Sequence, residues 1–121
     1  MYHLEFDSSR EVLRLSYAGR VGLDEAKRCR AEVGVLLLCI KPGFRLLTDL
    51  SGLEEMDFAC VDEIRAAMDQ FREHGVAHVV RVIPDPSKDI GFTIMSYFHY
   101  GRDVKVQTVD SLDDGLKALF A

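Results

Sequence analysis

The 121-residue chain has no excess of basic charge, no long apolar run and few cysteines. Each shortage closes off a class of function. Lys and Arg number 15 against 20 Asp and Glu, a net charge of −5, and the two signs are interspersed. A binder of nucleic acid or of an anionic membrane surface needs a basic footprint, so neither is an expected partner. The longest apolar stretch, Val33 to Ile40, is broken by Gly34 and falls far short of the ~20 residues of a membrane span. A soluble chain is expected. The cysteines are Cys29, Cys39 and Cys60, an odd number with no Cys-x-x-Cys, and no basic segment followed by an apolar one marks a secretory signal. That points to a reducing, cytoplasmic setting.

Catalytic and cofactor signatures are also missing. There is no Gly-x-Gly-x-x-Gly, no phosphate loop ending in Gly-Lys-Ser/Thr and no Gly-x-Ser-x-Gly elbow. His3, His74, His78 and His99 stand at no ligand spacing, so no metal and no cofactor is expected. The chain also lacks a recognisable set of nucleophile, base and orienting group, which argues against an enzyme.

What is present is a regular alternation of elements. Tyr2 to Phe6 and Val12 to Tyr17 alternate apolar and polar residues about the turn formers Asp7-Ser8-Ser9-Arg10, the pattern of a hairpin. A helix is predicted from about Leu23 to Leu38, with acids Asp24 and Glu25 in its first turn and an apolar end that is either buried or part of an interface. Phe44 to Leu50 reads as a central strand closed by Ser51-Gly52. From Phe58 to His74, Val61, Ile64, Ala67, Met68 and Phe71 recur three or four apart on one helical face, and Gly75 supplies a C-terminal cap. Ala77 to Ile83 is a β-branched strand stopped by Pro84-Asp85-Pro86. Ser87 to Tyr100 reads as a third helix, Val104 to Val109 as a last strand, and Ser111-Leu112-Asp113-Asp114 as the capping box of a terminal amphipathic helix. The order is β-β-α-β-α-β-α-β-α, an α/β chain of one domain over residues 1–121. Strands alternating with helices after the hairpin imply right-handed crossovers and a mixed, mainly parallel sheet.

In this order, and most of all over Phe44 to Val82, the chain resembles the STAS domain in its SpoIIAA-like branch, the anti-sigma-factor antagonists. A strand ending in Thr48-Asp49-Leu50-Ser51 leads to Met56-Asp57, to a helix closed by Gly75, and to a β-branched strand. The resemblance implies a five-stranded sheet with packed helices and a non-catalytic regulatory, protein-interaction role. Members of that family commonly carry an Asp, two small hydroxyl residues and a Gly at the start of this helix, and the second hydroxyl accepts phosphate. Asp57, Phe58, Ala59 and Cys60 occupy those positions, with no Ser or Thr between Gly52 and Ala66. The resemblance therefore implies a module without the usual switch. SpoIIAA-like chains also resemble the Sec-fourteen lipid-binding class in architecture, which implies an alternative role as a carrier or sensor of a small apolar ligand.

Residue by residue, Asp57 is positioned to cap the second helix. Cys60, in the first turn, is either a small buried hydrophobe or a thiol favoured by the helix dipole and opposed by Asp57, Asp62 and Glu63. Cys29 and Cys39 lie too far apart along one helix to pair with each other and are expected in the core or an interface. The aromatic-rich stretch Phe92 to Tyr100 is the second informative segment. Ile90, Ile94, Met95 and Phe98 account for a buried stripe, so Tyr97, His99 and Tyr100 are expected near the rim. Met95, Tyr97, Phe98, His99 and Tyr100 form the candidate interaction or ligand surface, for a protein partner, a homodimer or an apolar ligand.

Overall fold

A computed structural model describes residues 1–89, 99–101 and 103–120. Strands β1 (Tyr2–Asp7) and β2 (Val12–Val21) form the expected antiparallel hairpin. Then follow α1 (Leu23–Leu37), β3 (Arg45–Met56), a 3-10 turn (Phe58–Cys60) running into α2 (Val61–Glu73), β4 (His78–Val82), β5 (Lys105–Val109) and α3 (Leu112–Leu119). The five strands lie in the order β1-β2-β3-β4-β5, with every pair after the hairpin parallel. A mixed, mainly parallel sheet is the expected result of strands joined by helical crossovers. Of the third predicted helix, Pro86–Lys88 forms a 3-10 turn and most of the rest lies outside the described residues.

The sheet is covered on both faces. On one side Leu13, Leu15, Leu46, Leu50 and Val79 pack against Val33 and Leu37 of α1 and Ile64, Met68 and Phe71 of α2. The other side holds a smaller cluster of Val12, Leu47, Val80, Val82 and Leu119, covered by α3. Burial of a Leu, Ile, Met or Phe side chain contributes roughly 1.5–3 kcal/mol, so the α1/α2 side carries most of the stability. Gly75 closes α2 at φ +87, and a Cβ there would stand 2.8 Å from that of Pro42, so both backbone and space demand glycine. Ser111 caps α3 by accepting from the Asp114 N–H at 3.1 Å, as its sequence position predicts.

One boundary differs from the sequence reading in a way that matters for the site. Ser51-Gly52 does not close the third strand, which continues to Met56. Its register against β2 shifts twice, between Ser16 and Ala18 and between Gly19 and Arg20, and Gly19 takes φ +65 at the second irregularity. Such bulges add twist and let pairing continue past them. Ser51 to Glu55, with only Leu53 among them buried, are thus held in a ribbon that delivers Asp57 to the start of α2.

Candidate functional site

The ribbon ends where β2 hands over to α1, and the backbone fixes the next four residues. The Asp57 N–H donates to the Val21 carbonyl at 3.0 Å, and the Cys60 N–H donates to the Asp57 carbonyl at 2.9 Å. Asp57 Oδ1 accepts from the Ala59 N–H at 3.0 Å, making Asp57 the cap of the 3-10 turn. The sequence reading puts this cap on the second helix; it falls on the 3-10 turn that leads into α2, and Cys60, at the N-cap of α2 itself, makes no side-chain capping bond.

Cys60 is fully buried, its Sγ directed to the Val21 carbonyl at 3.7 Å. Burial pushes its thiol up from the ordinary cysteine range, and the nearby Asp57 carboxylate adds to the shift. Desolvation and a like-signed neighbour both disfavour the thiolate, and the full burial of the side chain places Cys60 in the core as a small hydrophobe. Cys29 is buried too, its thiol pushed up to about 11 by burial, whereas Cys39 is exposed.

Phe58 stands apart within this segment. It is 84% exposed, an aromatic ring standing in solvent at the position after the cap. Ala59 beside it is exposed as well. The charged residues around it in sequence are engaged: Glu55 with Arg20 at 3.6 Å, Asp62 with Arg65 at 3.5 Å, and Glu63 with Arg30 of α1 at 2.5 Å. Lys88 donates to the Glu54 carbonyl from the far side of the β3 end. Residues 53–65 hold no Ser or Thr to take up phosphate, and Asp62 and Glu63 already place negative charge at the helix start, where a phosphate's roughly −2 charge would meet repulsion. Chemically the arrangement offers an apolar knob rather than a nucleophile, a base or a ligand set.

The second candidate surface turns the other way where it is described. Met95, Tyr97 and Phe98 lie outside the described residues. Tyr100, expected near the rim, is buried at 2% exposure and belongs to the α1/α2 core. It lies between helical His99 and Gly101 at φ +72, in the turn that ends the helix, and that turn sets its direction. His99 is half-buried and pairs its Nδ1 with Asp69 Oδ1 of α2 at 2.7 Å. Burial pushes the Tyr100 phenol well above the ordinary tyrosine range. With Tyr17, Met68, Phe71 and Arg81, Tyr100 lines a cleft of about 20 Å³, room for a single water.

Arg81 is the residue that pattern reading passed over. It sits within β4, 2% exposed, its guanidinium drawn down by burial while Tyr100 and Asp89 oppose that shift. The one signal was a single Arg inside the β-branched run Ala77 to Ile83. The histidines serve local structure: His74 Nε2 meets the Ile40 carbonyl at 2.5 Å, and His78 Nε2 meets Gln107 Oε1 of β5 at 2.7 Å. Among the described residues no three His, Cys, Asp or Glu side chains converge as metal ligands, and no helix is long and apolar enough to cross a membrane.

The fold has close counterparts among solved structures. The anti-sigma factor antagonist SpoIIAA in its unphosphorylated form superposes with a TM-score of 0.68 at 14% identity, covering 100% of this chain and 99% of its own. The fold is SpoIIAA-like. An uncharacterized protein of the DUF3478 family from Shewanella loihica PV-4, itself described as having a SpoIIAA-like fold, gives a TM-score of 0.74 at 11% identity, with coverage of 98% and 93%. An anti-sigma factor antagonist from Mycobacterium paratuberculosis gives 0.63 at 17% identity, with coverage of 100% and 96%. No family model matches the sequence, and no curated protein matches it. At these identities the likeness establishes the fold, and function has to be argued from the site.

Proposed function

We propose that residues 1–121 act as one SpoIIAA-like regulatory module that recognises a protein partner through the surface around Phe58, without catalysis and without phosphate control at that turn. The observation that carries this reading is the exposure of Phe58 next to Ala59, the position where the family resemblance puts its phosphate acceptor. Exposed aromatic rings that stand among paired charges supply large apolar area at small entropic cost, and such residues dominate binding energy at protein interfaces. The fold shared with two anti-sigma factor antagonists supports a regulatory role. The replacement of both hydroxyl positions by Phe58 and Ala59 supports a constitutive one.

Native mass spectrometry of the protein purified from its host, followed by a denaturing mass of the same sample, tests the reading. A bound protein and an unmodified chain are expected. A small apolar molecule released on denaturation, or a phosphate on the peptide containing residues 57–60, would overturn it.

A further inference from the structure

A second surface, remote in sequence from Phe58, is built along the open edge of the sheet. β1 is an edge strand of six residues with no proline, no lysine and no bulge to oppose pairing, and its charges Glu5 and Asp7 stand on one face only. Its residues alternate, with Tyr2, Leu4 and Phe6 half-buried on the α1 side and His3, Glu5 and Asp7 exposed on the other. Beside it Leu4 forms a groove of about 410 Å³ with Ala31, Glu32, Val35 and Leu36 of α1. Val35 is 68% exposed, and Leu38, one turn on, is 84% exposed. Glu32 is already engaged by the Tyr2 phenol, which that hydrogen bond pushes up to about 12.

The hydrogen-bond phase of the hairpin decides which backbone groups β1 offers. Met1 and Ala18 exchange both bonds, the Ala18 N–H to the Met1 carbonyl at 2.7 Å and the Met1 ammonium to the Ala18 carbonyl at 2.8 Å. In an antiparallel ladder bonded and non-bonded pairs alternate, so His3, Glu5 and Asp7 turn their peptide groups toward β2. Tyr2, Leu4 and Phe6 turn theirs outward.

From this phase we infer that β1 pairs with β1 of a second copy of this chain, antiparallel, about a twofold axis at Leu4. Only residues that point their peptide groups outward can form the bonded pairs, which restricts the register to Tyr2, Leu4 and Phe6 meeting one another. The axis at Leu4 uses all of them: Leu4 opposes Leu4, and Tyr2 opposes Phe6 on both sides. It also sets His3 against Glu5 of the second copy, twice, in the non-bonded pairs where side chains come closest. An axis at Glu5 would set Glu5 against Glu5, and one at His3 would set His3 against His3, each with fewer bonded pairs. The longest register is therefore the one in which charge is complementary. On the α1 side the same operation sets the apolar groove and Val35 against their own copies, an isologous contact.

Sedimentation velocity over a concentration series up to about 1 mM, on wild type, His3→Glu and His3→Lys, tests this. Wild type is expected to dimerise. With two pairs altered at ~0.7 kcal/mol each, His3→Glu should weaken the dimer about tenfold and His3→Lys should tighten it. The same two charges at the exposed Thr108 on the opposite edge, β5, should leave the dimer unchanged. Val35→Asp should weaken it as His3→Glu does. A chain that stays monomeric throughout, or a dimer indifferent to the sign of the charge at His3, would overturn the inference. Neither outcome bears on Phe58.

Discussion

Two short segments serve α2 at its opposite ends, and they face opposite ways. Asp57 to Cys60 begin the helix with an exposed phenyl ring above a buried thiol, while His99 to Gly101 close over its C-terminal half with a buried phenol. Both are short segments beside the same amphipathic helix, and both are rich in groups that sequence reading marks as functional. The direction of the backbone at each turn separates them. At the first, Asp57 holds an extended conformation, φ −60 and ψ 134, that points the following Phe58 away from the core. At the second, the turn before Gly101 sends Tyr100 inward against Tyr17, Met68 and Phe71. A side chain's chemical type nominates it for function, but the turn that carries it decides whether it can meet a partner.

The sharpest way to break this contrast is to place a charged side chain in each segment. Tyr100→Arg buries a guanidinium in a cluster with no room for it and should cost about 3–5 kcal/mol, read as a shift of the urea midpoint. A loss below 1 kcal/mol would return Tyr100 to the surface. Asp57→Ala removes the cap and leaves the Ala59 N–H without its partner, so a loss of about 1 kcal/mol is expected from the same titration. Phe58→Asp should change stability by no more than about 0.5 kcal/mol, because the ring buries almost nothing within the chain.

Much of the frame was legible before any coordinates. The three- and four-residue recurrence of Val61, Ile64, Ala67, Met68 and Phe71 places all five in the core, and Gly75 and Ser111 end and begin helices where their chemistry requires. These signals are local, which is why they survive in a sequence. The continuation of β3 to Met56 is not local. Glu54 and Glu55 are poor strand formers, and they stay in the sheet because β3 bulges there, with Glu54 as the extra residue between Leu53 and Glu55 against Gly19 and Arg20 of β2. Tyr100 was misplaced for a related reason: a helical period carried through from Ile90 assigns it to the rim, but a turn has no period. Arg81 was hidden by its neighbours, since a β-branched run identifies a buried strand without saying which charged residue is buried with it.

The cysteines sharpen the comparison with a smaller effect. Cys60 and Phe58 are two residues apart, yet one is sealed and the other open. Under native alkylation Cys39 should react first, with Cys29 and Cys60 protected by burial and by thiols shifted upward. Peptide mapping of the modified sites over time gives the order, and early labelling of Cys60 would show that the start of α2 opens.

The most direct test of the docking role is the dissociation constant of whichever protein co-purifies with the chain, measured for wild type and for Phe58→Asp with the melting temperature of each. Loss of one buried interface aromatic is expected to weaken binding by at least tenfold, more than 1.4 kcal/mol, with melting unchanged. Equal affinity for the two chains would contradict recognition through Phe58 and move the site of partner binding elsewhere on the fold.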